Sequence, residues 1–404
     1  MPHSIEQALF TKTVLRTLTT AILICAFLSA CGNASESLVT EAQVGEKAFN
    51  DPSLSASGRL SCASCHATST GHAAPNDLAA QLGGSTLTVQ GLRASQSARY
   101  LASNGSFHFD EEGTPTGGFF WDGRADSLVA QAAGPLLGAR EMANPDKAAV
   151  VQRIANASWA AEFKRLYGSD VFNDIDLAFE RLGSALQAFQ RQRVGFNEFT
   201  SKYDAALRGT TILNEQEARG LALFNDPQKG NCASCHPSSK SQDGSHPLFT
   251  DFTYDNLGVP RNSEIRANDD PEYFDLGLCA RTNAKGHQDL IDRSDLCGAF
   301  KVPSLRNIGL RKTFFHNGYF KSLRDVVTFY VQRDTNPEKW YPRNPDGTIR
   351  KFNDLPRQYQ ANVNVTEAPY NRQPGEPPAL NDSEIDDVLA FLKTLTDGWP
   401  ATTK

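Results

Sequence analysis

The chain has 404 residues, long enough for two domains of ordinary size, each able to bury its own core. Hydrophobic residues make up 40% of it and charged residues 21%, with a net charge of -6, which excludes a disordered chain and a basic nucleic-acid-binding surface. The acidic balance leaves small molecules and neutral or basic proteins as partners.

Residues 1–30 read as an export signal removed from the mature chain: Lys12 and Arg16 flank the apolar run Leu18–Ala30. That run is too short for a membrane-spanning helix, which needs about 20 residues. It ends Leu28-Ser29-Ala30-Cys31-Gly32, which resembles the lipobox of bacterial lipoproteins, with Cys31 as the lipidated first residue. A plain signal peptide with an incidental cysteine is the alternative. The expected location is the periplasm, with a lipid anchor to the outer membrane.

Gly45 and Phe49 lie four residues apart shortly before Cys62-Ala63-Ser64-Cys65-His66. Gly220 and Phe224 stand in the same relation to Cys232-Ala233-Ser234-Cys235-His236. At that spacing glycine and phenylalanine share a helix face, as where a helix crosses another closely and packs an aromatic inward. The Cys-x-x-Cys-His pattern attaches a c-type haem: two thioethers hold the macrocycle and the next histidine meets the iron. Zinc ribbons and thioredoxin-like sites use cysteine pairs too, but neither accounts for a histidine directly after both pairs in an exported protein. Two haems are therefore expected, bound through Cys62, Cys65, Cys232 and Cys235 with His66 and His236 as axial ligands.

Apolar residues recur at helical spacing over residues 176–189 and again over 385–395, the second run following a helix-start signal at Asn381–Glu384. Strand-like alternation is scarce. The expected fold is all-α, with two cytochrome c-like domains covering residues 31–200 and 201–404. Of the eight cysteines, Cys25 leaves with the signal, Cys31 is the lipid site and four attach haem. Cys279 and Cys297 remain, and in an oxidising compartment they are expected to form a disulfide, two free buried thiols being the alternative.

Between the haem motifs stand Phe120-Trp121-Asp122-Gly123-Arg124, Gln131, Pro135 and Glu141-Met142; beyond the second come Val302–Asn307 and Phe315-His316-Asn317-Gly318. In this order the segments resemble the bacterial di-haem cytochrome c peroxidases and MauG, over nearly all of the mature chain. The resemblance implies that Trp121 relays electrons between the haems. It implies a peroxide pocket over the N-terminal haem formed by Gln131, Pro135 and Glu141, where Glu141 moves a proton between the two peroxide oxygens.

Two departures separate this chain from typical di-haem peroxidases. Where those carry a distal histidine on the first haem, this chain reads Gly84-Ser85-Thr86-Leu87-Thr88-Val89, so the first haem is expected to be open. His72 and His108 are the other candidates, read as surface residues. Where those carry a methionine ligand on the second haem, fourteen residues after the histidine, counting from His316 reaches Tyr330. Leu323, Val326, Val327 and Tyr330 share one helix face, and Tyr330 is the expected ligand, as in MauG. A calcium ion between the domains is also implied, although Ala94 replaces the usual asparagine; its carbonyl donors would be Arg311 and Thr313. The long segment 334–379 reads as an ordered surface near the second haem that could dock a partner.

The resemblance thus implies an enzyme that uses hydrogen peroxide to raise the haem pair to a high-valent state. That pair would oxidise a small periplasmic cytochrome c or cupredoxin, or a side chain of a partner protein. A non-enzymatic periplasmic electron carrier or haem sensor is the alternative.

Overall fold

The computed structural model describes residues 39–281 and 290–400. The export signal and Cys31 lie outside the described residues. From Thr40 onward the chain forms one compact unit, and no described helix is long and apolar enough to cross a membrane.

The structure is mainly helical. The first half contributes α1 (Glu41–Asn50), α2 (Leu128–Leu137), α3 (Lys147–Asn156), α4 (Ala160–Tyr167) and α5 (Ile175–Gln190). The second contributes α6 (Glu215–Asn225), α7 (Leu323–Gln332) and α8 (Asp382–Lys393). Side chains close the helix starts: Thr40 and Gln43 exchange hydrogen bonds at α1, as do Asn214 and Glu217 at α6 and Asn381 and Glu384 at α8.

In each half the first helix crosses the last at van der Waals contact. A Cβ on Gly45 would fall 1.9 Å from the carbonyl oxygen of Ala185 on α5, and one on Gly220 would fall 1.9 Å from that of Asp387 on α8. Any larger residue would force the helices apart. One turn on from each glycine a phenylalanine enters the core, Phe49 with its ring 5.4 Å from Phe189 and Phe224 with its ring 5.2 Å from Phe391. The aromatic pairs complement the close backbone crossing.

Among the described residues, sheet is limited to three antiparallel pairs: β1 (Leu82–Gly83) with β2 (Val89–Gln90), β3 (His108–Phe109) with β4 (Pro115–Thr116), and β5 (Tyr254–Asp255) with β6 (Phe300–Lys301). Most of the remaining chain is loop, pinned by side chains. Cys279 and Cys297 form a disulfide.

The halves meet along a polar seam. Thr116 bridges Thr253, the Lys301 N–H donates to the Trp121 carbonyl at 2.8 Å, and the Ala94 N–H donates to the His316 carbonyl at 2.7 Å. Within the second half, Arg306 and Asp204, whose side chains have no solvent exposure, form a two-pronged ion pair, and His246 Nδ1 sits 2.6 Å from the same carboxylate.

Candidate haem sites and the cavity between them

A cavity of about 940 Å³ is lined by both Cys-x-x-Cys-His motifs, Trp121 and Tyr330, at the upper end of roughly 300–1,000 Å³ for ligand sites. At the first motif Cys62–Cys65 form one helical turn. At the second Cys232–Ser234 form a tighter turn with Cys235 just beyond it.

Both histidines are prepared as ligands. His66 Nδ1 lies 3.1 Å from the His72 carbonyl and 2.9 Å from the Gln96 carbonyl, and His236 Nδ1 lies 2.8 Å from the Phe249 carbonyl. Only a protonated Nδ1 can donate to a carbonyl, which leaves Nε2 with its lone pair. Burial lowers the pKa of both rings, His236 to about 4, and keeps them neutral.

The thiols fit attachment rather than redox exchange. Burial pushes Cys62, Cys232 and Cys235 up to about 12 and Cys65 up to about 11. Reactive or metal-binding cysteines have depressed values, whereas a thioether has no proton to lose. Among the described residues no three His, Cys, Asp or Glu side chains converge as a metal cluster. The donor set therefore suits haem c at both motifs.

Over the first motif, Gln131 and Pro135 lie one turn apart on α2 and both line the cavity. Pro135 has no N–H, so the Gln131 carbonyl lacks its helical partner. The chain then turns back: the Met142 N–H donates to the Pro135 carbonyl at 3.0 Å, and the Gly84 N–H donates to the Glu141 carbonyl at 2.8 Å. Gly83 and Gly138 make room for this loop. A Cβ on Gly83 would fall 2.2 Å from the Arg140 carbonyl oxygen, and one on Gly138 would fall 2.7 Å from Glu141 Oε2. The Glu141 carboxyl opens onto the cavity, and desolvation by the surrounding protein raises its pKa, opposed by Arg124.

The segment 84–88 forms the loop of the β1–β2 hairpin, and no histidine enters there. His72 corrects a sequence expectation. It is 4% exposed rather than on the surface, stacked on Phe196 at 4.3 Å, with Arg99 Nε donating to its Nδ1 at 3.2 Å. The aromatic environment outweighed its polar neighbours in sequence. His108 is exposed, and neither residue lines the cavity.

Trp121 sits at the seam with its Nε1 donating to the Ala94 carbonyl at 2.9 Å. Arg93 fixes the flanks, bonding Asp275 through Nε and Nη2 and lying 2.8 Å from Asp122 through Nη1. On the other side, Tyr330 of α7 lines the cavity with its ring 5.7 Å from Phe315 and 5.9 Å from Tyr370. Burial, then the Cys232 and Cys235 sulfurs, raise the pKa of its phenol. A buried cation facing the oxygen would reverse that preference.

The halves share a second repeat that the sequence reading missed. Phe119-Phe120-Trp121-Asp122-Gly123 and Phe314-Phe315-His316-Asn317-Gly318 form the same turn. Phe120 has φ 68° and Phe315 φ 62°, Gly123 and Gly318 follow with positive φ, and the turns are closed by bridges Phe119–Ala125 and Phe314–Phe320. Ser127 and Ser322 then cap α2 and α7. Trp121 thus corresponds to His316, and the Ala94 peptide joins them. Pro135, the fourteenth residue after Trp121, corresponds to Tyr330, the fourteenth after His316. The shared spacing of Phe-Phe, Gly and Ser-Leu was the available signal.

A mainly helical chain with two such motifs around one cavity has the architecture and donor set of a di-haem protein. Residues 40–212 match the family described as di-haem cytochrome c peroxidase. The chain is 33% identical to the methylamine utilization protein MauG of Paracoccus denitrificans (strain Pd 1222) over 382 residues, 92% of each chain. It is 29% identical to the cytochrome c551 peroxidase of Nitrosomonas europaea, covering 89% of this chain and 80% of that one. The solved structure of the diheme peroxidase BthA from Burkholderia thailandensis E264 superposes with a TM-score of 0.81 at 40% identity, covering 88% of this chain and 86% of that one. The chain belongs to the di-haem cytochrome c peroxidase and MauG family, which implies two c-type haems.

Proposed function

We propose that this enzyme reduces hydrogen peroxide at an open N-terminal haem attached through Cys62, Cys65 and His66. Cys232, Cys235 and His236, with Tyr330 on the same cavity wall, would hold a second haem, which would supply a further redox centre. The observation that carries the reading is that Glu141, Gln131 and Pro135 face one part of a cavity whose other part is lined by Tyr330, with Trp121 at the seam. Residues 31–200 and 201–404 are the corresponding haem units.

When bound, the haem pair supplies the redox chemistry, accepting both oxidising equivalents of peroxide. Glu141 takes a proton from the inner peroxide oxygen and returns it to the outer one, which leaves as water; its raised pKa suits both transfers. Gln131 orients the peroxide by hydrogen bonding. Pro135 presents no ligating atom and keeps the approach open. Trp121, held by Ala94 and Lys301, conducts between the pockets.

The oxidised substrate is a periplasmic electron donor, a small cytochrome c or cupredoxin, or a side chain of a partner protein. The 33% identity to MauG and the absence of a methionine at position 330 favour the second, while the 40% identity to the diheme peroxidase BthA favours the first. Export with lipidation at Cys31 would place the enzyme at the periplasmic face of the outer membrane. Calcium is not supported: Ala94 brings no side-chain oxygen where the asparagine is usual.

The deciding experiment mixes the fully oxidised holoprotein with peroxide and then offers, separately, reduced cytochrome c and periplasmic proteins from the same cells. Stoichiometric oxidation of either is expected, with a covalent change in the second case. Peroxide that leaves the haem spectra unaltered would sink the reading.

A further inference from the structure

We infer that Arg311 neutralises a propionate carboxylate of the C-terminal haem and thereby sets that centre's reduction potential. The inference rests on the di-haem reading above.

Arg311 follows the turn Ile308–Leu310 and lines the cavity. Its Nη2 donates to the Ser304 carbonyl at 2.6 Å and, at 3.3 Å, to that of Arg306. Its Nε is buried and has no partner. Other arginines of this region are each matched to an acid: Arg306 to Asp204, Arg93 to Asp275, Arg333 to Asp334 and Arg261 to Asp354. No carboxylate of the described residues pairs with Arg311. Burial alone acts on it, lowering its pKa to about 10 with no acid to oppose the shift.

A guanidinium keeps its proton at any physiological pH, and a partly buried cation on the cavity wall without a counter-ion is unfavourable. The site therefore calls for an anion. Haem brings two propionates into the same cavity, and the guanidinium fork is the side chain best shaped for a carboxylate. The resemblance to the family assigns this position only a backbone carbonyl, so the side-chain role is separate from it.

A positive charge beside the haem edge favours the reduced state of the iron. Arg311→Gln, which keeps a donor and loses the charge, should lower the reduced-to-oxidised ratio of the second haem at least about tenfold, roughly 59 mV for one electron. Arg311→Lys should stay within about threefold of wild type, with the first haem unmoved in both variants. Equal shifts in the two variants, or none, overturn the inference, because a residue that merely ties the Ser304 and Arg306 carbonyls would not sort them by charge. A crystal structure of the wild-type holoprotein needs no variant. A guanidinium nitrogen of Arg311 within about 3.2 Å of a propionate oxygen supports the inference, while a guanidinium facing only protein, water or a free chloride overturns it. Fewer than two haems per chain by pyridine haemochrome assay would defeat the di-haem reading itself, whereas two haems with an unmoved potential defeat Arg311 alone.

Discussion

Pro135 and Tyr330 occupy the same position on equivalent helices, each two turns past a capping serine and each facing the shared cavity. One scaffold thus presents two chemistries. A ring without a donor atom stands over the first motif, and a phenol stands beside the second.

Replacing Pro135 by tyrosine should therefore close the first haem. The open, high-spin signal in electron paramagnetic resonance should give way to a six-coordinate one, and the reaction with peroxide should slow at least about 10²-fold. Restoring the N–H removes a helix penalty of about 3 kcal/mol, so the melting temperature should not collapse. An unchanged spectrum in a folded variant would show that the position does not face the iron.

Tyr330→Phe removes the oxygen donor and little else. The second haem should lose its six-coordinate signal and become easier to reduce, since an anionic oxygen ligand favours oxidised iron. Redox titration monitored by electron paramagnetic resonance reads both. A retained signal would leave Tyr330 a core residue and return the ligand to a histidine.

Glu141→Gln should keep both haems and slow single-turnover peroxide cleavage by about 10²–10⁴-fold, the usual contribution of a positioned proton-transfer group. The sign of the pH effect also follows. The surrounding protein raises the pKa of Glu141 by desolvation, and because the side chain is open to the cavity its ionisation costs the fold only a small, solvent-screened amount of stability once pH exceeds the ordinary carboxyl range. The glutamine variant should match or exceed wild type in thermal stability at neutral pH. That difference should vanish in acid, where Glu141 is protonated in both states.

Asp204 gives the opposite case. Arg306, Ser201 and His246 hold its pKa near 2 against the desolvation that would raise it, below the ordinary 3.8. Its stabilisation is present above 3.8 and is lost as pH falls toward about 2. Asp204→Asn leaves Arg306 buried without its counter-charge and should cost roughly 3–5 kcal/mol, read as a shift in denaturant midpoint at neutral pH.

Gly45→Ala and Gly220→Ala should each destabilise by about 1–3 kcal/mol or more, because a methyl must displace a carbonyl oxygen at the helix crossing. Differential scanning calorimetry checks this. Tolerance of either alanine would mean that the crossing has room to open.

Several features were legible from residues alone because they are local. The haem motifs are contiguous, the glycine and phenylalanine of α1 and α6 repeat at one helical turn, and Asn381 with Glu384 marks the start of α8. The fourteen-residue count from His316 to Tyr330 is equally local, because a single turn and a single helix intervene and sequence distance fixes where Tyr330 lies on α7. His72 was not legible. Its burial depends on Phe196 and Arg99, which are distant in sequence.

What the sequence by itself determined is the chemistry available: two attachment motifs, one acid-bearing pocket segment and a tyrosine at the methionine position. Tertiary structure alone decided how these face one another. It brought both motifs to one cavity, joined Trp121 to His316 through the Ala94 backbone, and left Arg311 on the cavity wall without an acid. The reason is physical: hydrogen bonding and burial are settled by which distant segments meet, and local patterning carries no information about a counter-ion that another part of the chain, or a cofactor, must bring.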